Sequence, residues 1–230
     1  MQPLIRKNPE GSTQWTFLDE RPLWDDREIF ILRSWPLDRG SVEAFLDDRI
    51  LIVLAESLEV IFEDNKLRHL ICKAGQQIVV PGKTALRFRP EQGCLMANFP
   101  RRPCIAKIDV SLHEKKGHMR KWLFKNFGRG NEEAAAFLWN EGGQSDPHGH
   151  GGPEITWVLD GELREHYWDK DVSCEAIYIA GKEFLVHPER EHVIQARLRS
   201  LSVIHYPEGP VPPIPLREFK MPKALLALAS

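Results

Sequence analysis

The feature that most constrains this chain is a series of short β-branched and aromatic runs, each cut off by turn residues. ILIVLA (50–55), LEVIF (58–62), QQIVV (76–80), ITWVL (155–159), CEAIYI (174–179) and LSVIHY (201–206) have the length of strands. Ala74-Gly75, Pro81-Gly82, Asp160-Gly161 and Ala180-Gly181 punctuate them. The pattern predicts an all-β chain, a sandwich or a barrel. Helical patterns are few. WLFKNF (122–127) with NEEAAAFLW (131–139) predicts a helical turn or two, and KALLALAS (223–230) a last short helix.

At 230 residues the chain suffices for one large domain or two small ones, and 42% apolar with 28% charged residues excludes disorder. A net charge of −2 provides no whole-chain field for nucleic acid. Charge is uneven, however. Residues 101–130 carry nine basic and two acidic side chains and read as a solvated connector. Cys72, Cys94, Cys104 and Cys174 form no Cys-x-x-Cys pair, which argues against a zinc knuckle or a disulfide scaffold. The opening MQPLIRKNPEGST has no apolar core, and Ala224–Ala229 is too short to span a bilayer. The expectation is a reduced, cytoplasmic protein with neither membrane nor nucleic acid as partner.

Two halves of the chain look alike. IVLAESLE (52–59) reads like WVLDGELR (157–164), and CLMANFP (94–100) like LSVIHYP (201–207). Ser57 to Gly161 is 104 residues, Gly75 to Gly181 is 106, and Pro100 to Pro207 is 107. A nearly constant offset points to a duplicated β-module.

The chemistry concentrates in GGQSDPHGHGGPEITWVLDG (142–161). His148 and His150, two apart, share a face on extended chain, so a ring nitrogen from each can reach one ion. Gly149, Gly151 and Gly152 let the backbone approach closely. Glu154 opens an apolar strand and, if buried, needs a partner such as a divalent cation. Two imidazoles and a carboxylate suit Fe, Mn, Co, Ni, Cu or Zn rather than Ca or Mg.

These residues resemble the first motif of the cupins. Gly142, His148, His150, Glu154 and Gly161 stand at every spacing that motif requires. The second cupin motif is matched by Gly181 and by His192 eleven residues later. Inside it the chain departs from the pattern: Pro188 is one place late, Glu189 replaces a glycine, and Ala196 stands where Asn is often found. The resemblance implies two cupin (jelly-roll) barrels with a few short helices, residues 1–105 and 106–230. It implies one divalent metal per chain on His148, His150, Glu154 and His192, with Fe(II) first and Zn, Mn, Ni or Cu as other candidates. In the first barrel Leu86 stands where the second motif's His belongs and residues 41–50 hold no His. That barrel is therefore expected to be structural.

Asp160-Gly161 is also a strong hairpin signal. Folded about it, Thr156 would face Glu165 and Glu154 would face Tyr167, all lining the interior. On the other face Trp157 would meet Arg164 and Ile155 would meet His166. Tyr167 then becomes a candidate acid/base. His205 is a candidate support for the site, and His187 is placed at its rim. Resemblance to cupin enzymes implies a metal-dependent enzyme acting on a small organic molecule, an Fe(II) dioxygenase first. The alternatives are a non-redox isomerase, epimerase or lyase, or a zinc-binding sensor of the anti-sigma-factor type. A homodimer is a further expectation.

Overall fold

The structure, a computed structural model, describes residues 3–18, 28–63, 68–102, 105, 107–127, 133–169, 172–188 and 190–206. Among them every regular element is a strand, and no helix is long and apolar enough to cross a membrane. The chain divides into two compact units, Pro3–Ile108 and the residues from Asp109 onward.

The first unit holds β1 (Leu4–Lys7), β2 (Thr13–Leu18), β3 (Glu28–Trp35), β4 (Ser41–Phe45), β5 (Arg49–Ala55), β6 (Ser57–Phe62), β7 (His69–Lys73), β8 (Gln77–Val80), β9 (Thr84–Pro90) and β10 (Cys94–Pro100). They form two antiparallel sheets, ordered β1-β2-β3-β10-β5-β8 and β4-β9-β6-β7. Period-two alternation builds the space between them. Leu58, Val60 and Phe62 from β6 meet Leu86 and Phe88 from β9, with Leu51 and Val53 from β5 opposite.

The second unit holds β11 (Asp109–Lys115), β12 (Met119–Lys125), β13 (Glu133–Trp139), β14 (Glu154–Asp160), β15 (Glu162–Asp169), β16 (Val172–Ile179), β17 (Glu183–Val186), β18 (His192–Ala196) and β19 (Ser200–Tyr206). Its sheets are ordered β11-β12-β13-β19-β14-β17 and β16-β15-β18. The segment around His148 bridges to His192, as β4 pairs with β9 in the first unit. The second unit thus repeats the order of the first, with the bridged segment around His148 standing where β4 stands. Its core joins Phe137, Trp139, Val158, Leu163, Phe184 and Ile194.

Several expectations are corrected. Residues 122–127 and 133–139 are not helical but lie in or beside β12 and β13. The alanine run has helix propensity, but Ala134–Ala136 sit between β12 and β19 with both faces buried, and sheet pairing overrides it. The C-terminal run 223–230 and Cys104 lie outside the described residues. The basic segment is no simple connector. Its residues 109–125 form the β11–β12 hairpin, because Trp122 and Phe124 alternate with its cations and are buried.

The Asp160-Gly161 hairpin does not form. β14 pairs with β19 and β17, while β15 pairs with β16 and β18. So Thr156–Glu165, Glu154–Tyr167, Trp157–Arg164 and Ile155–His166 are not strand partners. Gly161 is instead the corner at which the chain passes from one sheet to the other. Its φ of +81° needs glycine, and a Cβ there would lie 2.2 Å from Ser200 Oγ.

Candidate metal centre

His148 and His192 exchange both backbone hydrogen bonds, 3.0 and 2.8 Å. Directly opposed residues of an antiparallel pair share a face, so both rings point the same way. His150, two residues on, joins them. Ring centroids lie 4.4 Å apart for His148–His192, 4.9 Å for His148–His150 and 5.4 Å for His150–His192. Gly149 lets this happen close to the next strand, since a Cβ there would press on the Arg190 carbonyl at 3.3 Å. One ring nitrogen from each of the three lies within 4.8 Å of the others.

The protons on these rings are fixed from outside. His148 Nδ1 lies 2.8 Å from the Asp146 carbonyl, and His192 Nδ1 lies 3.0 Å from Glu165 Oε1. Both partners accept, so each Nδ1 donates and, in the tautomer that ligates a metal, each ring turns an Nε2 lone pair inward. Those Nε2 atoms are 3.2 Å apart. Two lone pairs at that distance repel unless a cation lies between them. His150 Nε2 is buried without a hydrogen-bond partner. It lies 3.0 Å from Glu154 Oε2, but out of hydrogen-bond alignment. Metal–imidazole bonds of about 2.0–2.1 Å put neighbouring nitrogens on one ion roughly 3 Å apart. The donor set therefore fits a divalent transition metal.

Burial, with His192 next to it, brings the His148 imidazole down to about 4, so it stands neutral and able to ligate at pH 7. Burial alone would raise the Glu154 carboxyl. His150 first, then His192 and His148, outweigh that and take it down to about 2. Its two oxygens are held by Thr156 Oγ1 and Tyr206 OH, each donating at 3.0 Å. Behind His192, fully buried Glu165 accepts from Tyr178 OH at 3.0 Å and faces Arg190 Nη1 at 3.6 Å.

The structure brings His148, His150, Glu154, His192, Thr156 and Glu165 together. Tyr167 is half-buried, opposes His192 across β15–β18, and lies under the Arg190 guanidinium at 4.2 Å. His205 is elsewhere: it occupies the other face of β19 from Tyr206, with its ring against Trp157 at 6.3 Å. His187 is exposed. Sequence reasoning missed Tyr206 and Tyr178. The signal for Tyr206 was strand alternation, which puts the residue after His205 on the inner face. It also missed Lys121, on the inward face of β12 with Met119 and Leu123. Its ammonium lies 5.1 Å from the Phe137 ring, and burial lowers it while the charges of Glu154 and Glu133 partly hold it up.

In the first unit the same positions carry other chemistry. Glu43 pairs with Leu86 as His148 pairs with His192. Phe45 follows by two, as His150 does, and Arg49 opens β5 as Glu154 opens β14.

No family model and no curated protein matches this chain. Among solved structures, vicilin from hazelnut (Corylus avellana) aligns over 100% of this chain and 93% of its own. The TM-score is 0.50 and the identity 11%. The chain has the cupin fold. Oxalate decarboxylase from Lactobacillus farciminis, in its formate complex, also aligns, at 13% identity over 93% of this chain and 86% of its own, with a TM-score of 0.43. A mutant of Bacillus subtilis oxalate decarboxylase aligns at 10% identity over 93% and 77%, with the same TM-score. The chain has two units, and the histidine group that can hold a divalent metal lies in the second.

Proposed function

We propose that the second unit is the centre of a metal-dependent enzyme acting on a small organic molecule, with Fe(II) oxygenation as its first activity. The observation that carries this reading is the inward convergence of three imidazole nitrogens, two of them with their tautomers set from behind. His148, His150 and His192 would hold the ion, with Glu154 beside them. Four protein donors leave positions open on a six-coordinate ion. A bound Fe(II) would supply O₂ activation next to the substrate.

The chain's own residues do the rest. Tyr206 and Thr156 orient the Glu154 carboxylate, which the neighbouring imidazoles keep anionic. Burial, the Glu154 charge and the hydrogen bond it donates push the Tyr206 hydroxyl well above its usual range, so it stays a proton donor. Glu165 holds the His192 ring. Lys121, with no carboxylate in hydrogen-bond reach among the described residues, favours a substrate bearing negative charge.

The test is elemental analysis of untagged protein, with O₂ uptake followed after anaerobic Fe(II) loading. About one iron per chain with metabolite-dependent O₂ consumption is expected. One tightly held zinc without O₂ chemistry would move the activity to isomerisation, lyase chemistry or sensing. In His150→Ala, stoichiometric metal should be lost while the β-sheet circular dichroism persists. Full metal occupancy in that variant would sink the assignment.

A further inference from the structure

The first unit carries a cavity of about 420 Å³, lined in part by Arg6, Gln14, Arg33, Ser41, Phe45 and Arg49. Within its own unit it lies at the strand positions that correspond to the histidine group of the second, since Phe45 and Arg49 occupy the counterparts of His150 and Glu154. We propose that this cavity binds a small organic carboxylate.

Three guanidinium groups border one space, and two of them are largely buried. A pocket of this volume is at the small-molecule end of the usual range. Two carboxylates also border it, Glu10 and Glu43, but both are already engaged. Arg33 Nη2 donates to Glu10 Oε1 at 2.5 Å, and its Nη1 is paired with Glu43. Ser12 Oγ donates to the same Glu10 oxygen at 2.6 Å. Glu28, outside the lining, takes Arg49 Nη1.

What remains is a surplus of donors. Arg49 Nε and Ser41 Oγ are buried and have no hydrogen-bond partner among the described residues. Arg6 adds a further positive charge at the exposed edge. Buried donors left unpaired are costly, so the ligand that fits is one rich in acceptor oxygens. A carboxylate matches the guanidinium fork in shape and charge. The Phe45 ring, with Arg49 5.8 Å above it, offers an apolar wall for the carbon skeleton.

This site is separate from the histidine group and does not depend on the reading proposed for it. The test is isothermal titration of the full-length protein with acetate, malonate, succinate, citrate and benzoate, with inorganic phosphate as the non-carboxylate oxyanion. Saturable binding of at least one carboxylate is expected, at least tenfold weaker in Arg49→Gln and in Ser41→Ala. Ser41→Ala removes only one hydroxyl, so it reports even if Arg49→Gln fails to fold. Binding should be unchanged in His148→Ala. No saturable binding by any carboxylate, which would mean a cavity filled by water alone, overturns the proposal. So does binding of phosphate only, and so does loss of carboxylate binding in His148→Ala.

Discussion

His192 receives its tautomer from Glu165, 27 positions away in sequence. In Glu165→Gln the partner of Nδ1 loses its charge and is free to turn its amide the wrong way. Metal affinity should fall by roughly 10–100-fold with the fold intact, read by competitive chelator titration. Tyr206→Phe removes a donor to Glu154 and should weaken metal in the same range; unchanged affinity in both would mean the outer hydrogen bonds are idle. The buried Cys94 makes a pH prediction. Burial, with Glu56 and Glu91 behind it, pushes its thiol from 9.0 up to about 12. The folded state then resists losing this proton and the unfolded state does not. Stability from this group is complete below about 9 and is lost as pH rises toward 12. Urea midpoints should fall over that window, and Cys94→Ala should flatten part of the fall. At this scale His148, His150 and Glu154 were legible, because they fall within seven residues: the two histidines lie on one face of a short extended stretch, and Glu154 opens the next strand after the bend at Gly151 and Gly152. Tyr206 was not, because choosing between it and His205 requires knowing which face of β19 is inward.

Gly161 shows how an element can be read correctly and placed wrongly. Asp160-Gly161 does mark a positive-φ turn. It turns the chain between sheets rather than between partners, because the backbone groups of β14 are taken by β19 and β17. The inward direction of Thr156 and Glu165 survived this error, since the two strands face one interior from different sheets. Gly161→Ala should destabilise by about 1–3 kcal/mol in urea unfolding. It combines a φ of +81° with a Cβ 2.7 Å from the Arg199 carbonyl. Gly181→Ala has a φ of +84° but nothing within 4 Å, so its cost should be smaller. Equal costs would mean that φ alone, and not the packed corner, sets the penalty. The alanines of β13 make the complementary point. Their propensity is helical, and only burial between two strands holds them extended.

Across the whole molecule, one strand order is used twice with two chemistries in it. Leu86→His restores one imidazole to the first unit, opposite Glu43. It should not create a second metal site, because Phe45 and Arg49 still hold the other positions; equilibrium dialysis should find no added metal over the parent chain. A second equivalent of metal would show that the first unit needs only one ligand to recover binding. The sequence by itself determined the β character, the duplication and the segment on which the metal chemistry rests. Each of these is written in periodicity, in a constant offset, or in spacing within a few residues. The structure alone decided which strands pair, that Tyr206 and Tyr178 stand behind the two carboxylates, and that the first unit has an arginine-lined cavity at the matching place. Those outcomes depend on hydrogen bonds and side-chain contacts between strands tens of residues apart. Local spacing carries no record of them, because every strand has two edges and two faces and only closure of the sheets selects among them.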